Sequence, residues 1–447
     1  MPPSATGVMF GSSGIRGPVG ETVSAELGVR LGGALVAWGA DRVVIGRDPR
    51  PSGEYLIRAV TSGLQEAGAR VINIGVASTP TIARAVGWKN ADAGVAITAS
   101  HNPPRDNGFK LWLPSGQAFR PSDQTAIERQ LDQPEVASTW ESVRPVETWS
   151  DAVERHVDAL AGSIEGDISL SVIVDVGNGA GQVTAKALER LGCRVRTLNG
   201  QPDGTFPGRP SEPTAEHCRD LQAMVPAVDA DLGIAHDGDA DRMQAVDHRG
   251  KFLSGDSLLA LFAMAAAGPG DRVAAPVDTS LAVDDTLEAV GASVVRTRVG
   301  DVHIADRASE ADVVFGGEPS GAWIWPSHTL CPDGALAAVK LAEMINRRGP
   351  LVDLTEPIET YPIERTAIRV DNKPAVMGHV TETLRSEYGT VDTTDGIRVK
   401  LDAGWFLIRP SGTEPVIRIT AEGRTADQAA SLRETAETLI STSDEDS

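Results

Sequence analysis

The chain has 447 residues, 41% hydrophobic and 23% charged, enough for three or four domains of ordinary size and outside the range of wholesale disorder. Basic residues number 41 against 62 acidic ones, a net charge of −21, which excludes nucleic-acid binding through the overall field. No apolar run approaches the roughly 20 residues of a membrane span and no basic-plus-apolar leader is present, so a soluble, cytoplasmic protein is expected.

Near the N-terminus, Phe10-Gly11-Ser12-Ser13-Gly14-Ile15-Arg16-Gly17 sets an arginine among small and hydroxyl residues, a pattern suited to an anion. From there short apolar runs alternate with amphipathic helical segments, the α/β pattern. One fragment recurs: a strand, a helix, the string Leu-x-x-x-Gly-x-x-Val, then another strand. It falls at Leu64, Gly68 and Val71 after Val43-Val44-Ile45, and at Leu188, Gly192 and Val195 after Val172-Ile173-Val174. A third copy has Leu287, Gly291 and Val294 after Val273-Ala274-Ala275. The glycine suits a helix stop that needs left-handed backbone, and the valine opens the next strand. Three copies point to three similar domains arising by duplication, although generic βαβ units can share such a string.

Each copy closes on a loop with chemical content. The first apolar run Gly94–Ile97 leads into Thr98-Ala99-Ser100-His101-Asn102-Pro103-Pro104, and Asp106-Asn107-Gly108-Phe109-Lys110 follows. A serine at a strand end, in a loop stiffened by prolines, with His101 adjacent and Lys110 near, is a candidate nucleophile. A plain polar turn is the alternative, and the absence of a G-x-S-x-G elbow argues against a hydrolase triad. In the second copy, Asp237, Asp239 and Asp241 alternate and Arg242 follows. Three carboxylates so close repel unless a divalent cation compensates, and hard Mg²⁺ prefers oxygen ligands. The string is not an EF-hand; a solvated acidic turn is the alternative. The third copy ends in Phe315-Gly316-Gly317-Glu318-Pro319-Ser320-Gly321, where Glu318 and Ser320 suit the hydroxyls of a polyol.

From about Thr366 the order becomes strand, helix, three strands and a closing helix over Ala426–Ile440, an α+β unit. Its loop Ile408-Arg409-Pro410-Ser411-Gly412-Thr413-Glu414-Pro415 offers a guanidinium, two hydroxyls and a glycine amide to a phosphate. Joints near Val143–Thr148 and Glu356–Ile363 read as linkers, and Ser441–Ser447 as a frayed acidic tail.

These four loops, and above all Thr98–Pro103 together with Asp237–Arg242, resemble the α-D-phosphohexomutases (phosphoglucomutase, phosphomannomutase and phosphoglucosamine mutase) over essentially the whole chain. The resemblance implies an α/β protein with three similar mixed α/β domains plus a C-terminal α+β domain around a central cleft. The divisions it implies are residues 1–150, 151–250, 251–360 and 361–447. Ser100 would carry the phosphate, and Ser100, Asp237, Asp239 and Asp241 would hold one Mg²⁺. Glu318 and Ser320 would take sugar hydroxyls, and Arg409, Ser411, Gly412 and Thr413 would grip the phosphate not being transferred. Arg16, Lys110 and Arg242 would line the transfer site, with His101 or Lys110 moving protons.

The implied activity interconverts sugar 6- and 1-phosphates through phosphoserine and a sugar bisphosphate, which also serves as activator. Within the family the pattern looks most like archaeal-type phosphoglucosamine mutases, ahead of phosphomannomutase or phosphoglucomutase activity. The implied partners are small-molecule sugar phosphates, with no nucleic acid or membrane, and the chain would be a monomer or homodimer. A phosphomonoesterase, with water accepting the phosphate, and a non-catalytic sugar-phosphate sensor are the other readings; a nucleophile combined with a metal site argues against the sensor. Two departures from relatives stand out. Ala322 follows Ser320-Gly321 where many carry histidine, and Asp301 follows Gly300 where some carry histidine.

Two compositional expectations complete the reading. Only seven of the 41 basic residues are lysine, an arginine-rich acidic balance that a high-salt cytoplasm favours because salt screens carboxylate repulsion. An ordinary acidic enzyme from a GC-rich genome would look similar. Cys193, Cys218 and Cys331 are odd in number and lack ligand spacing, so neither a disulfide framework nor a zinc site is expected.

Overall fold

A computed structural model describes residues 10–11, 14–131, 139–389, 391–411 and 415–445. Four sheets follow one another along the chain. The first orders its strands Ile15–Pro18, Asp106–Trp112, Ala93–Ile97, Arg42–Arg47, Arg70–Val76 and Glu147–Thr148. The second runs Met243–Asp247, Leu232–His236, Ser171–Asp175, Arg194–Leu198, and the third Ser293–Thr297, Arg272–Pro276, Val313–Glu318, Ala322–Ile324. In all three, the first strand of the repeated fragment lies between two parallel neighbours: the strand opened by the valine and the strand that ends in the loop. Ala93–Ile97, Ser171–Asp175 and Leu232–His236 are buried at every residue, as strands covered by helices on both faces are. Gly68, Gly192 and Gly291 have φ of +90°, +97° and +74°, the left-handed helix stop expected of them.

The second and third sheets share one hydrophobic core, in which Val174, Leu188 and Ile234 are continuous with Phe262, Phe315 and Trp323. A clasp joins the first three sheets. Asp333 caps the helix Gly334–Arg348 through Leu336 N–H (3.0 Å) and also accepts from Arg84 Nε (2.9 Å). The same carboxylate lies 3.1 Å from His156 Nε2, whose Nδ1 meets Thr81 Oγ1 at 2.8 Å. Burial pushes the His156 pKa below its usual value even though Asp333 pulls it up.

The fourth sheet is antiparallel, in the order Ile363–Arg369, Val416–Gly423, Gly404–Pro410, Ile397–Leu401. It carries the helices Lys373–Tyr388 and Ala426–Glu445 and has its own core around Val376, Val380, Phe406 and Ile417. It docks on the third sheet through a buried carboxylate: Glu422 accepts from Ser280 Oγ (2.5 Å), Leu281 N–H (2.7 Å) and Trp405 Nε1 (2.7 Å). Val277, Leu281, Trp405 and Leu407 pack around this contact.

At the segment ends the structure adds one strand pairing and corrects one expectation. The joint near Val143–Thr148 ends in a strand, Glu147–Thr148, that pairs in parallel with Ile72 and Asn73 at the sheet edge. The closing helix runs past Ile440 to Glu445, because no Gly or Pro interrupts it; Ser441 and Thr442 hydroxyls donate to the carbonyls of Glu437 and Thr438. No helix among the described residues is long and apolar enough to cross a membrane.

Candidate active site

The strand Ala93–Ile97 delivers the serine loop. Ser100 is 1% exposed and has φ +51°, a left-handed conformation that costs a non-glycine residue energy and persists only when its surroundings impose it. Its N–H donates to Thr98 Oγ1 (2.9 Å), and its hydroxyl donates to Asp237 Oδ2 (2.7 Å) across the gap between the first and second sheets. His101 Nδ1 stands 3.4 Å from Ser100 Oγ. Burial and the charges of Arg242, Arg16 and Lys110 hold the His101 pKa down at about 3, so the ring is neutral. The prolines end the loop, and the returning strand Asp106–Trp112 sets Lys110 opposite Ala96.

Asp237, Asp239 and Asp241 occupy the turn between Leu232–His236 and Met243–Asp247, all of them buried. Each offers one oxygen within a group spanning no more than 4.8 Å. Lys110 Nζ donates to Asp239 Oδ2 (2.8 Å) and Asp241 Oδ2 (2.5 Å), and Thr79 donates to Asp239 Oδ2 through Oγ1 (2.6 Å). Burial and the neighbouring aspartates raise the pKa of Asp237 and Asp241. Asp239 goes the other way: burial acts to raise it, but Lys110 and the Thr79 hydroxyl outweigh that. For Lys110, burial works against the charge, yet Asp239 and Asp241 overcome it and raise the pKa.

The donor set fits a hard divalent cation. Asp239 Oδ1 and Asp241 Oδ1 are buried without a hydrogen-bond partner among the described residues, on carboxylates whose other oxygens are taken by Lys110. Buried lone pairs left unsatisfied in this way are costly, and an oxygen-seeking cation satisfies them.

Arg16 and Arg242 complete the positive rim. Arg16 pairs with Gly108 on the strand that carries Lys110, and its charge acts on His101, Lys110 and Asp239. Arg242 N–H donates to Asp237 Oδ1 (3.2 Å), and its guanidinium is held charged against burial by Asp237, Asp241 and Glu318. Glu318, at the end of Val313–Glu318, accepts from Ser320 Oγ (2.5 Å), and burial raises its pKa. Ala322 is 3% exposed and bridges to Arg242, so the third loop sits directly against the metal loop. Asp301 begins the helix Asp301–Ala308, and its charge acts on Lys110, Asp241, Arg242 and Glu318 alike.

Seven sequence candidates thus gather in one place: Ser100, His101, Lys110, Asp237, Asp239, Asp241 and Arg242, with Arg16, Glu318 and Ser320 beside them. Arg409 lies on a strand of the fourth sheet and Ser411 just beyond its end, in a separate segment from these. Arg409 Nη1 donates to Asp395 Oδ2 (3.1 Å), and Ser411 N–H closes its loop on the Val416 carbonyl (3.0 Å). Gly412 and Thr413 lie outside the described residues. The sequence reading missed Thr79, Asp301 and two buried Asp–Arg pairs, Asp48 with Arg50 and Asp175 with Arg209. The run Arg47-Asp48-Pro49-Arg50 at a strand end was the visible signal for the first pair; Arg209 is 34 residues from its partner and left none.

Comparison with known proteins agrees along the whole chain. Four family descriptions of phosphoglucomutase/phosphomannomutase match in order: alpha/beta/alpha domain I at residues 7–137, domain II at 147–250, domain III at 254–361, and the C-terminal domain at 366–438. A protein of Methanopyrus kandleri named "Probable phosphoglucosamine mutase" is 45% identical over 438 residues, covering 96% of each chain. One of the same name from Pyrococcus abyssi is 42% identical over 444 residues, covering 97% of this chain and 98% of its own. Among solved structures, a phosphoglucomutase/phosphomannomutase family protein from Burkholderia thailandensis superposes with a TM-score of 0.86 at 25% identity, covering 97% of both chains. Aspergillus fumigatus N-acetylphosphoglucosamine mutase, solved with GlcNAc-6P and magnesium, shares the fold (TM-score 0.62, 15% identity, 98% and 96% coverage).

Proposed function

The chain belongs to the phosphoglucomutase/phosphomannomutase family of phosphohexomutases, and from that membership we propose that it is a cytoplasmic phosphoglucosamine mutase, interconverting glucosamine 6-phosphate and glucosamine 1-phosphate. The observation that carries the reading is the 2.7 Å contact between Ser100 Oγ and Asp237, made beside a buried carboxylate triad. The relatives' names support the choice of glucosamine.

Each segment has one task. Residues 1–150 present Ser100, 151–250 the carboxylates, 251–360 the sugar loop and 361–447 a phosphate grip. Ser100 in its phosphorylated form gives its phosphoryl group to a free sugar hydroxyl, and the resulting bisphosphate turns in the cleft and returns its other phosphate to Ser100. The proton would pass through His101, whose Nδ1 stands 3.4 Å from Oγ, or through Lys110. Glu318 and Ser320 orient the ring through its hydroxyls, while Arg409, Ser411, Gly412 and Thr413 hold the phosphate that is not reacting. Both ends of the sugar visit both places, which is why two groups of phosphate-binding side chains are needed. Lys110, Arg16 and Arg242 bring positive charge to a dianionic substrate that the net charge of −21 would otherwise repel. Mg²⁺ held by Asp237, Asp239, Asp241 and a phosphate oxygen on Ser100 would offset charge on the transferring group. A sugar bisphosphate would serve as activator by supplying the first phosphoserine.

The test is direct. Intact-mass measurement of the cycling enzyme should find one added phosphoryl group, absent in Ser100→Ala, while that variant still binds sugar phosphate. A coupled assay comparing glucosamine, glucose and mannose 6-phosphates with Mg²⁺ should rank glucosamine first. Substantial turnover by Ser100→Ala would end the reading.

A further inference from the structure

Two buried arginines lie beneath the catalytic loops and take no part in the chemistry above. Arg50 is 0% exposed, and all five of its guanidinium N–H groups are committed. Nε donates to Asp48 Oδ2 (3.0 Å), and Nη1 to the carbonyls of Pro103 (2.6 Å) and Asp106 (2.9 Å). Nη2 donates to the carbonyls of Ser100 (2.9 Å) and Asn102 (2.7 Å). Asp48 also accepts from Thr98 Oγ1 (2.7 Å), the oxygen that receives the Ser100 N–H. The peptide groups on both sides of the serine, whose backbone is left-handed, are therefore tied to one ion pair.

The second sheet repeats the device from unrelated sequence. Arg209 Nε donates to Asp175 Oδ2 (2.6 Å), and Nη2 to the carbonyl of His236 (2.6 Å), the residue before Asp237. In the third sheet Asp278 follows the corresponding strand, yet no arginine among the described residues forms an ion pair with it. Among the described residues, the device underlies the two loops that bring Ser100 and Asp237 together.

The segment that carries Arg209 also packs against Arg50 and its loop. The Phe206 ring lies 4.9 Å from the Arg50 guanidinium carbon, and Gly204 packs so closely on the Arg50 backbone that a Cβ would not fit. Ser211 Oγ donates to the Asn102 carbonyl (3.1 Å), which Arg50 already holds.

We propose that Arg50 and Arg209 are positioning residues that act as one unit to set Ser100 against the Asp237 loop, with Ser211 joining the halves. The inference rests on the phosphoserine reading above.

The test follows phosphate passing from glucose 1,6-bisphosphate to Ser100 in a single turnover, read by intact mass and scaled to the folded fraction, in the full-length chain with Mg²⁺. The sugar O–P bond breaks as the Oγ–P bond forms, and the serine proton leaves with the sugar oxygen. Arg50→Lys keeps the charge but loses the planar fork. It should slow transfer about 10²-fold, the scale of a misplacement near 1 Å, with KM for sugar phosphate unchanged. Arg209→Lys should slow transfer at limiting Mg²⁺ and raise the Mg²⁺ concentration for half-saturation about ten-fold, and the double variant should lose less transfer rate than the product of the two single losses in rate. Ser211→Ala removes one part-buried hydrogen bond to a carbonyl that Arg50 still satisfies, so it should fold, and it should slow transfer about five-fold. Wild-type rates per folded molecule in Ser211→Ala and in whichever lysine variants fold would overturn the inference. A wild-type chain that takes up no phosphate would instead overturn the functional reading itself.

Discussion

Gly238 sits between two of the aspartates with its α-carbon against the serine loop, and substitution by alanine isolates the spacing of the two loops from their chemistry. A Cβ there would stand 2.7 Å from the Ser100 carbonyl oxygen and 3.1 Å from Cζ of Phe206. A carbon meets a carbonyl oxygen comfortably at about 3.3 Å, so the loops must part by roughly 0.6 Å. The oxygen cannot easily give, because Arg50 holds it at 2.9 Å. Gly238 has no left-handed φ, so backbone strain adds nothing and the contact alone decides the outcome. Overpacking of this kind costs about 1–3 kcal/mol, and a shift of more than half an ångström between nucleophile and metal loop should lower kcat about 10- to 100-fold. The assay is kcat and KM for glucosamine 6-phosphate beside a denaturation curve for Gly238→Ala. Wild-type kcat in a normally folded variant would refute the claim that the 2.7 Å Ser100–Asp237 contact governs transfer.

Three other outcomes are expected. Burial holds the Asp256 carboxyl up at about 6 in the folded chain, against an ordinary 3.8, so its stability contribution is complete below about pH 3.8 and is lost as pH rises through 6. Asp256→Asn keeps an acceptor for Ser280 N–H and should raise stability at pH 7 by up to about 3 kcal/mol while flattening the pH profile between 4 and 6; an unchanged profile would contradict this. Arg409→Ala should raise KM about 10- to 100-fold with little change in kcat, by losing a phosphate contact worth about 1.5–3 kcal/mol, and an unaltered KM would remove Arg409 from the grip. If the acidic surface reflects a saline cytoplasm, the chain should unfold in dilute buffer and recover in molar KCl; full stability without salt would dismiss that origin.

Much of the fold was readable because the repeat is local. The left-handed glycines at 68, 192 and 291 and the valines that follow them are decided within one helix end, so a string of eight residues carries them. The tail was misread for a complementary reason: Ser441–Ser447 looks too polar and acidic to hold structure, but the Ser441 and Thr442 hydroxyls turn back onto helix carbonyls and the helix continues to Glu445. The site was readable as separate loops. Ser100 and the three aspartates announce their chemistry by type and spacing, whereas Arg50, Thr79 and Arg209 look like ordinary polar residues and matter only because of what they meet.

The amino-acid order by itself determined which groups are available: a serine at a strand end, three alternating carboxylates, and a glycine-stopped βαβ fragment in triplicate. Only the packed molecule decided that Ser100 donates to a carboxylate 137 positions away and that Lys110 reaches Asp239 and Asp241 from a different sheet. Backbone conformation follows from neighbours a few bonds apart. Which buried charge finds which partner depends instead on sheets brought together by burial of apolar surface, a force without direction that leaves hydrogen-bond geometry to select the final arrangement.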